Sequence, residues 1–166
     1  MSKIQLGNQE VIHFIGIGGI GMSGLAQIMK TMGFNVQGSD ISENKNTDNC
    51  KKLGIKILIG HTKKNILKTT IVVKSSAIEK NNIELLEAKK KNIPTYDRIE
   101  MLANIIDLKK NIIITGTHGK TTTTSLVAKI ISSAKLDPTI INGGVINSLK
   151  NTAKLGQGEW AIVEAD

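Results

Sequence analysis

Apolar positions along the chain alternate between strand-length runs and helical spacing. Val11 to Ile15 reads as a strand, and Met22, Leu25, Ile28, Met29 and Met32 then fall on one helical face that Gly33 closes. A second strand is predicted from Asn35 to Gly38, finishing at Ser39-Asp40. A short helix follows over Asp48–Leu53, closed by Gly54, and a strand over Ile55–Ile59 that ends at Gly60-His61. Thr70 to Val73 predicts a strand running into Ser75-Ser76-Ala77-Ile78, Ile83 to Lys91 an amphipathic helix, and Ile93-Pro94-Thr95 a short edge strand. Arg98 opens a further helix over Ile99–Ile106.

The polar segment Asp107-Leu108-Lys109-Lys110 interrupts this rhythm, and the alternation then restarts. Ile112, Ile113 and Ile114 form a β-branched run, and Leu126, Val127, Ile130 and Ile131 are the expected apolar face of the next helix. Thr139 to Ile141 predicts a strand leading into Asn142-Gly143-Gly144, and Trp160 to Val163 a last strand with Glu164-Ala165-Asp166 at its tip. Strands alternating with helices predict an α/β protein built on parallel sheets. The boundary is expected after residue 107: a Rossmann-like parallel-sheet domain over 1–107, then the start of a P-loop ATPase α/β domain over 108–166. The second segment holds fewer strands than a doubly wound domain needs, so the sequence is expected to be part of a longer protein.

Composition narrows the function. Of 166 residues 40% are hydrophobic, enough for a core. The formal charge of +8 would suit nucleic acid, but aromatics make up only 2%, leaving little for bases to stack on. The lysines are scattered along helices, as in Lys89-Lys90-Lys91, which fits a solvated face biased toward anionic ligands. No nucleic-acid partner is expected. The apolar run from Val11 to Ile20 is cut by glycines and lacks the basic start of a signal peptide, and no stretch reaches the roughly 18 apolar residues of a membrane helix. Cys50 is the only cysteine, which fits a reducing compartment. A cytoplasmic protein with no membrane association is expected.

Two glycine loops carry the chemistry. The first, Gly16-Ile17-Gly18-Gly19-Ile20-Gly21, lies between a strand and a helix, in the pattern of a dinucleotide-binding turn. Asp40 stands nineteen residues beyond Gly21, where such a fold places its ribose-binding acid; a turn aspartate fits equally well. Ser75 and Ser76 follow a strand at its carboxyl end, where parallel sheets bind ligands. Arg98 suits a bidentate clamp on phosphate or carboxylate, or a surface position, and His61 suits a structural role or a ligand contact.

The second loop runs Gly116-Thr117-His118-Gly119-Lys120-Thr121-Thr122. A usual Walker pattern has a glycine where Ile114 stands, so this is a shortened form. Its glycines let backbone N–H groups converge on a polyphosphate at a helix N-terminus. Lys120 is placed to reach the β- and γ-phosphates of ATP and Thr121 to ligate Mg²⁺, and an acid at the tip of the downstream strand, in Glu164-Ala165-Asp166, is where a further metal ligand is expected. A hydride-transfer enzyme using NAD fits the first loop but has no use for the second. A non-catalytic nucleotide-binding module stays open beside it.

Taken in order, Gly16-Ile-Gly-Gly-Ile-Gly-Met-Ser-Gly, Gly38-Ser39-Asp40, Ser75-Ser76-Ala77-Ile78, Gly116-Thr-His-Gly-Lys-Thr-Thr and Glu164-Ala-Asp resemble the Mur ligases. The resemblance implies a UDP-sugar domain, a central ATPase domain and a third domain that this sequence does not match. It implies ATP-dependent addition of L-alanine to UDP-N-acetylmuramate through an acyl phosphate, with Mg²⁺, in peptidoglycan precursor synthesis. His118 points to that branch or to the muropeptide-recycling one. Carried over by residue, Gly116 to Thr122 hold ATP, with Lys120 catalytic, and Thr121 and Glu164 hold the metal. Gly18, Gly19, Ile20 and Gly21 approach the UDP diphosphate, with Asp40, Ser75, Ser76, His61 and Arg98 nearby. Catalysis by this sequence alone is not expected.

Overall fold

In the computed structural model, which describes residues 6, 7, 9–141 and 153–164, the run Val11–Ile15 forms β1. Ile12, Phe14 and Ile15 are wholly buried, the mark of a central parallel strand covered on both faces. Around it lie β2 (Asn35–Asp40), β3 (Lys56–Ile59), β4 (Ile71–Lys74) and β5 (Thr95–Asp97), all parallel, in the order β3-β2-β1-β4-β5. The order reverses at β1, so the loops after β1 and β4 diverge and leave a crevice at the carboxyl ends of the strands.

Helix α1 (Ile20–Thr31) buries Met22, Leu25, Ala26, Ile28 and Met29, as its spacing predicts. Met32 departs from that face: it is the C-cap and is exposed. Gly33, at φ +94°, ends the helix in a conformation that a side chain would strain. Helix α2 (Lys45–Lys52) begins three residues ahead of the expected Asp48. Asn44 sets its start through a capping box with Thr47, and only Thr47 and Cys50 are buried, so apolar spacing carried no signal for its first turn.

A 3₁₀ turn at Lys63–Ile66, not anticipated, drops Ile66 into the core. There it joins Ile15, Val72 and Ala88 of α3 (Ile83–Lys90). The edge strand expected over 93–95 lies at Thr95–Asp97 instead. Ile93 is used to close α3, its N–H reaching Ala88 O at 2.9 Å, and Pro94 has no N–H to offer. Helix α4 spans Arg98–Asp107.

The chain divides into two compact units, Met1–Leu102 and Ala103–Asp166, the break falling within α4 and so ahead of the expected boundary after residue 107. In the second unit lie β6 (Lys110–Ile114), α5 (Lys120–Ser133), β7 (Thr139–Ile141), β8 (Ala153–Lys154) and β9 (Trp160–Glu164). The sheet order is β6-β9-β7-β8, with β8 antiparallel, a two-residue pairing too short to read from sequence. The expected face of α5 is corrected in part, Val127 and Ile131 being half-buried as expected. Thr124 and Ala128 are the buried residues, whereas Leu126 and Ile130 are 62% and 67% exposed. Thr124 and Ala128 are small, which lets α5 lie close on β9. Lys109 is buried here, its amine donating to the carbonyls of Gly156 and Gly158, and burial lowers its pKa against the charge of Asp137. Asn142-Gly143-Gly144, Ala165 and Asp166 lie outside the described residues. Among the described residues no helix is long and apolar enough to cross a membrane.

Candidate functional site

In the first unit the glycine loop leaves β1 through Gly16, whose φ of +82° favours glycine. The carbonyl of Ser39 in the neighbouring strand accepts from the N–H groups of Gly16 and Ile17, at 2.9 and 3.0 Å, so the turn is anchored to β2. The next amide is already engaged: Gly18 N–H donates to Asp40 Oδ2 at 2.7 Å, and Ile41 N–H to Asp40 Oδ1 at 2.8 Å. Asn44 and Asn46 amides donate to the carbonyl of Gly18 from the other side. A β-carbon on Gly18 would stand 2.6 Å from Asn44 Nδ2 and 2.8 Å from Asp40 Oδ2, so any larger residue would have to displace these two hydrogen-bonded side chains.

Arg98 crosses to the same loop. A β-carbon on Gly21 would lie 2.8 Å from Arg98 Nη1, so the guanidinium occupies the space beside the first turn of α1. A fixed cation and the free amides of a helix N-terminus together favour an anion. Ser75 N–H donates to Ile15 O at 3.2 Å, and its Oγ accepts from Ala77 N–H at 3.3 Å, which holds the turn after β4 against the glycine loop; Ser76 is exposed beyond it. The structure thus gathers Gly18 to Gly21, Asp40, Ser75 and Arg98 about one crevice.

His61, which follows Gly60 at the end of β3, turns inward. Its Nδ1 lies 3.1 Å from Glu84 Oε2 and 3.2 Å from Ser39 Oγ. Glu84 and His13 are wholly buried in this cluster. Burial pushes the Glu84 pKa up, and hydrogen bonds from His13, Ser39 and Asn65 more than reverse this, bringing it to about 2. Sequence reading passed over Glu84, Ser39 Oγ and His13. The available signal was a histidine inside an otherwise apolar strand.

In the second unit β6 runs into a loop that turns at Gly116 (φ +146°) and Gly119 (φ +76°), and Gly119 caps α5. A cleft of about 380 Å³ opens there, lined by Thr117, His118, Gly119, Lys120, Thr121, Thr122 and Glu164. Parallel pairing of β6 with β9 sets Glu164 level with Ile114, directly below the loop. Thr121 Oγ1 donates to Glu164 Oε1 at 3.0 Å. The other oxygen, Oε2, is buried with no hydrogen-bond partner among the described residues. An unpaired buried carboxylate oxygen beside a hydroxyl suits a hard cation. Among the described residues no group of three or more His, Cys, Asp or Glu forms a self-sufficient metal site, so a cation here would take further oxygens from phosphate and water.

Residues 11–110 match the Mur ligase family, catalytic domain. The chain is 68% identical over 164 residues to a UDP-N-acetylmuramate–L-alanine ligase of Pelagibacter ubique, an alignment covering 99% of this chain and 35% of that protein. Among solved structures it resembles the UDP-N-acetylmuramate–alanine ligase MurC of Thermotoga maritima (TM-score 0.66, 34% identity, 92% of this chain and 36% of that one). It also resembles the UDP-N-acetylmuramate:L-alanyl-gamma-D-glutamyl-meso-diaminopimelate ligase of Neisseria meningitides (TM-score 0.66, 29% identity, 95% and 53%). The chain therefore spans about a third of the length of the curated relative it matches.

Proposed function

The chain belongs to the Mur ligase family, and from that footing we propose that it supplies the sugar-nucleotide site and the phosphate loop of an ATP-dependent ligase joining L-alanine to UDP-N-acetylmuramate. The observation that carries this reading is the pairing of Thr121 with Glu164 beneath a shortened phosphate loop, in a chain that also holds a separate anion-binding crevice. An NAD-dependent enzyme would need only the crevice and has no use for the phosphate loop. The 68% identity to an L-alanine ligase favours that amino acid over a muropeptide.

The chemistry follows from the groups present. A carboxylate is a poor electrophile at neutral pH, so the lactyl carboxylate attacks the γ-phosphorus of ATP, the bond to the β-phosphate oxygen breaks, and ADP leaves. The resulting acyl phosphate has a good leaving group. The amine of L-alanine adds to its carbonyl carbon, gives up a proton, and inorganic phosphate departs as the amide forms. Backbone N–H groups of Gly116 to Thr122 hold the polyphosphate in line, and Lys120 offsets charge on the transferring phosphoryl group. Thr121 and Glu164 would hold Mg²⁺, which would offset negative charge on the polyphosphate. In the other unit the amides of Ile20 and Gly21, at the start of α1, and the Arg98 guanidinium would take the diphosphate of the UDP-sugar.

Separate titrations with UDP-N-acetylmuramate, MgATP and NAD, followed by thermal melting, test the reading. The first two are expected to raise the melting temperature and NAD to leave it unchanged, a saturating ligand being worth about 2.7 kcal/mol at a hundredfold excess over Kd. In the full-length ligase, Lys120→Ala is expected to leave the sugar nucleotide bound and to slow ligation by on the order of 10²–10³ or more. Stabilisation by NAD alone would overturn the proposal, as would near-normal turnover of Lys120→Ala.

A further inference from the structure

One ionised group near the first crevice plays no part in the ligase chemistry. It is the carboxylate of Glu84, fully buried in the first turn of α3. Its Oε2 accepts from Ser39 Oγ at 2.6 Å and faces His61 Nδ1 at 3.1 Å. Its Oε1 accepts from Asn65 Nδ2 and from the Thr62 N–H at 3.4 Å. His13 Nε2 lies 3.4 Å from the same Oε2 and 3.3 Å from Ser39 Oγ.

These contacts decide where the ring protons sit. The Gln37 amide nitrogen donates to the carbonyl of Asn65 at 2.9 Å, which fixes the orientation of that amide. The same nitrogen is 3.2 Å from His13 Nδ1, so Nδ1 accepts and the proton of His13 is on Nε2. His61 is the reverse case. Its Nδ1 faces a carboxylate oxygen and a hydroxyl whose own hydrogen goes to that carboxylate, so Nδ1 carries the proton. His61 Nε2 is left with a bare lone pair. It has no partner among the described residues and is open to solvent, the side chain being 15% exposed at the carboxyl end of β3.

We propose that Glu84 is a positioning residue of the sugar-nucleotide crevice: it holds His61 as the Nδ1–H tautomer, so that Nε2 accepts a hydrogen bond from a ribose hydroxyl or the uracil imide N–H. The inference rests on the sugar-nucleotide reading above. A diphosphate has no proton to give such an acceptor, so the histidine reads the nucleoside while Arg98 and the glycine loop read the charge. A carboxylate is needed for this. Glutamine in its place keeps the shape but offers an N–H to Nδ1, which moves the ring proton to Nε2 and turns the acceptor into a donor.

The test uses the ¹⁵N-labelled chain, its histidine ring nitrogens observed by long-range ¹H–¹⁵N correlation, together with calorimetric titration by UDP-N-acetylmuramate. His61 is expected as the Nδ1–H tautomer, switching to Nε2–H in Glu84→Gln. Glu84→Gln and His61→Ala are each expected to weaken binding by roughly tenfold, the loss of one hydrogen bond, and the double variant no further. A purely structural Glu84 would leave the tautomer unchanged and its effect additive to that of His61→Ala. If Glu84→Gln does not fold, the tautomer of the unsubstituted chain and the loss in His61→Ala decide the matter. An Nε2–H ring in the unsubstituted chain, or undiminished binding by His61→Ala, would overturn this inference alone. No binding of the UDP-sugar by the unsubstituted chain would overturn the function proposed above, and this inference with it.

Discussion

Thr121 and Glu164, forty-three residues apart in sequence, meet through a hydrogen bond of 3.0 Å at the foot of the phosphate loop. The bond occupies one carboxylate oxygen and, among the described residues, leaves the other buried without a partner, where the proposed cation would sit. Thr121→Val keeps the shape and removes the hydroxyl, which strands both oxygens. It is expected to destabilise the chain by about 1–3 kcal/mol and to reduce the thermal shift given by MgATP relative to ATP with a chelator. Denaturant melts in the two conditions measure both effects, and an unchanged Mg²⁺ response would argue against the metal assignment.

Glu84 makes acid stability a direct readout of the buried cluster. Its pKa falls from 4.5 to about 2 on folding, so its stabilisation is complete above pH 4.5 and is lost as the pH drops from there toward 2. A shift of that size corresponds to roughly 3 kcal/mol. Glu84→Gln is expected to flatten the stability–pH curve across that window, as urea denaturation at stepped pH would reveal.

Gly18 is held between Asp40 and Asn44, so Gly18→Ala is expected to disturb the loop before any ligand arrives. The added carbon contacts two polar groups at 2.6 and 2.8 Å, an overpacking commonly worth about 1–3 kcal/mol. A fall in melting temperature of the ligand-free chain checks this. Stability equal to the unsubstituted chain would show that Asp40 and Asn44 move aside freely.

Cys50 is wholly buried, and burial, only partly offset by a hydrogen bond from Gln27, pushes its thiol up to about 11. Thiol reagents at pH 8 are expected to react with it only as fast as the first unit opens. Labelling in native buffer and in urea, followed by mass spectrometry, should differ by orders of magnitude.

Leu126, Ile130 and Ile113 present apolar surface in the second unit, at 62%, 67% and 63% exposure. Leu126→Lys with Ile130→Lys is therefore expected to raise the solubility of the chain without lowering its melting temperature, since neither side chain is packed. Light scattering during concentration measures the first effect; a clear loss of stability would mean that this face is covered.

Glycine punctuation made both loops legible, because a positive φ at Gly16 or Gly119 and a close approach at Gly18 leave little choice of residue. An acid at the tip of the last strand was legible from the pattern, whereas the choice of Glu164 over Asp166 came from the resemblance to the Mur ligases. The partners of these residues were not legible. Nothing in the spacing of Asp40 says that it bonds the Gly18 amide, and Glu84 resembles any acid in a first helical turn until the fold brings His13, Ser39 and His61 around it. Half of the α5 face was misread because Leu126 and Ile130 suggest burial, whereas helix and sheet meet closest over the small residues Thr124 and Ala128. The start of α2 depended on a cap, and hydropathy does not report caps.

Among the described residues β6, which leads into the loop at Gly116 and Gly119, pairs with β9 alone and forms an edge of its sheet. In a parallel ladder alternate residues turn their amides to opposite sides, so half of the β6 N–H groups face away from β9. Those amides would trade hydrogen for deuterium quickly, while their neighbours, locked onto β9, would trade slowly. The footing of the loop thus carries a built-in two-beat exchange pattern. Any polypeptide that comes to lie against the open side would erase it, slowing every second amide, and would be detectable by that alone before its identity was known.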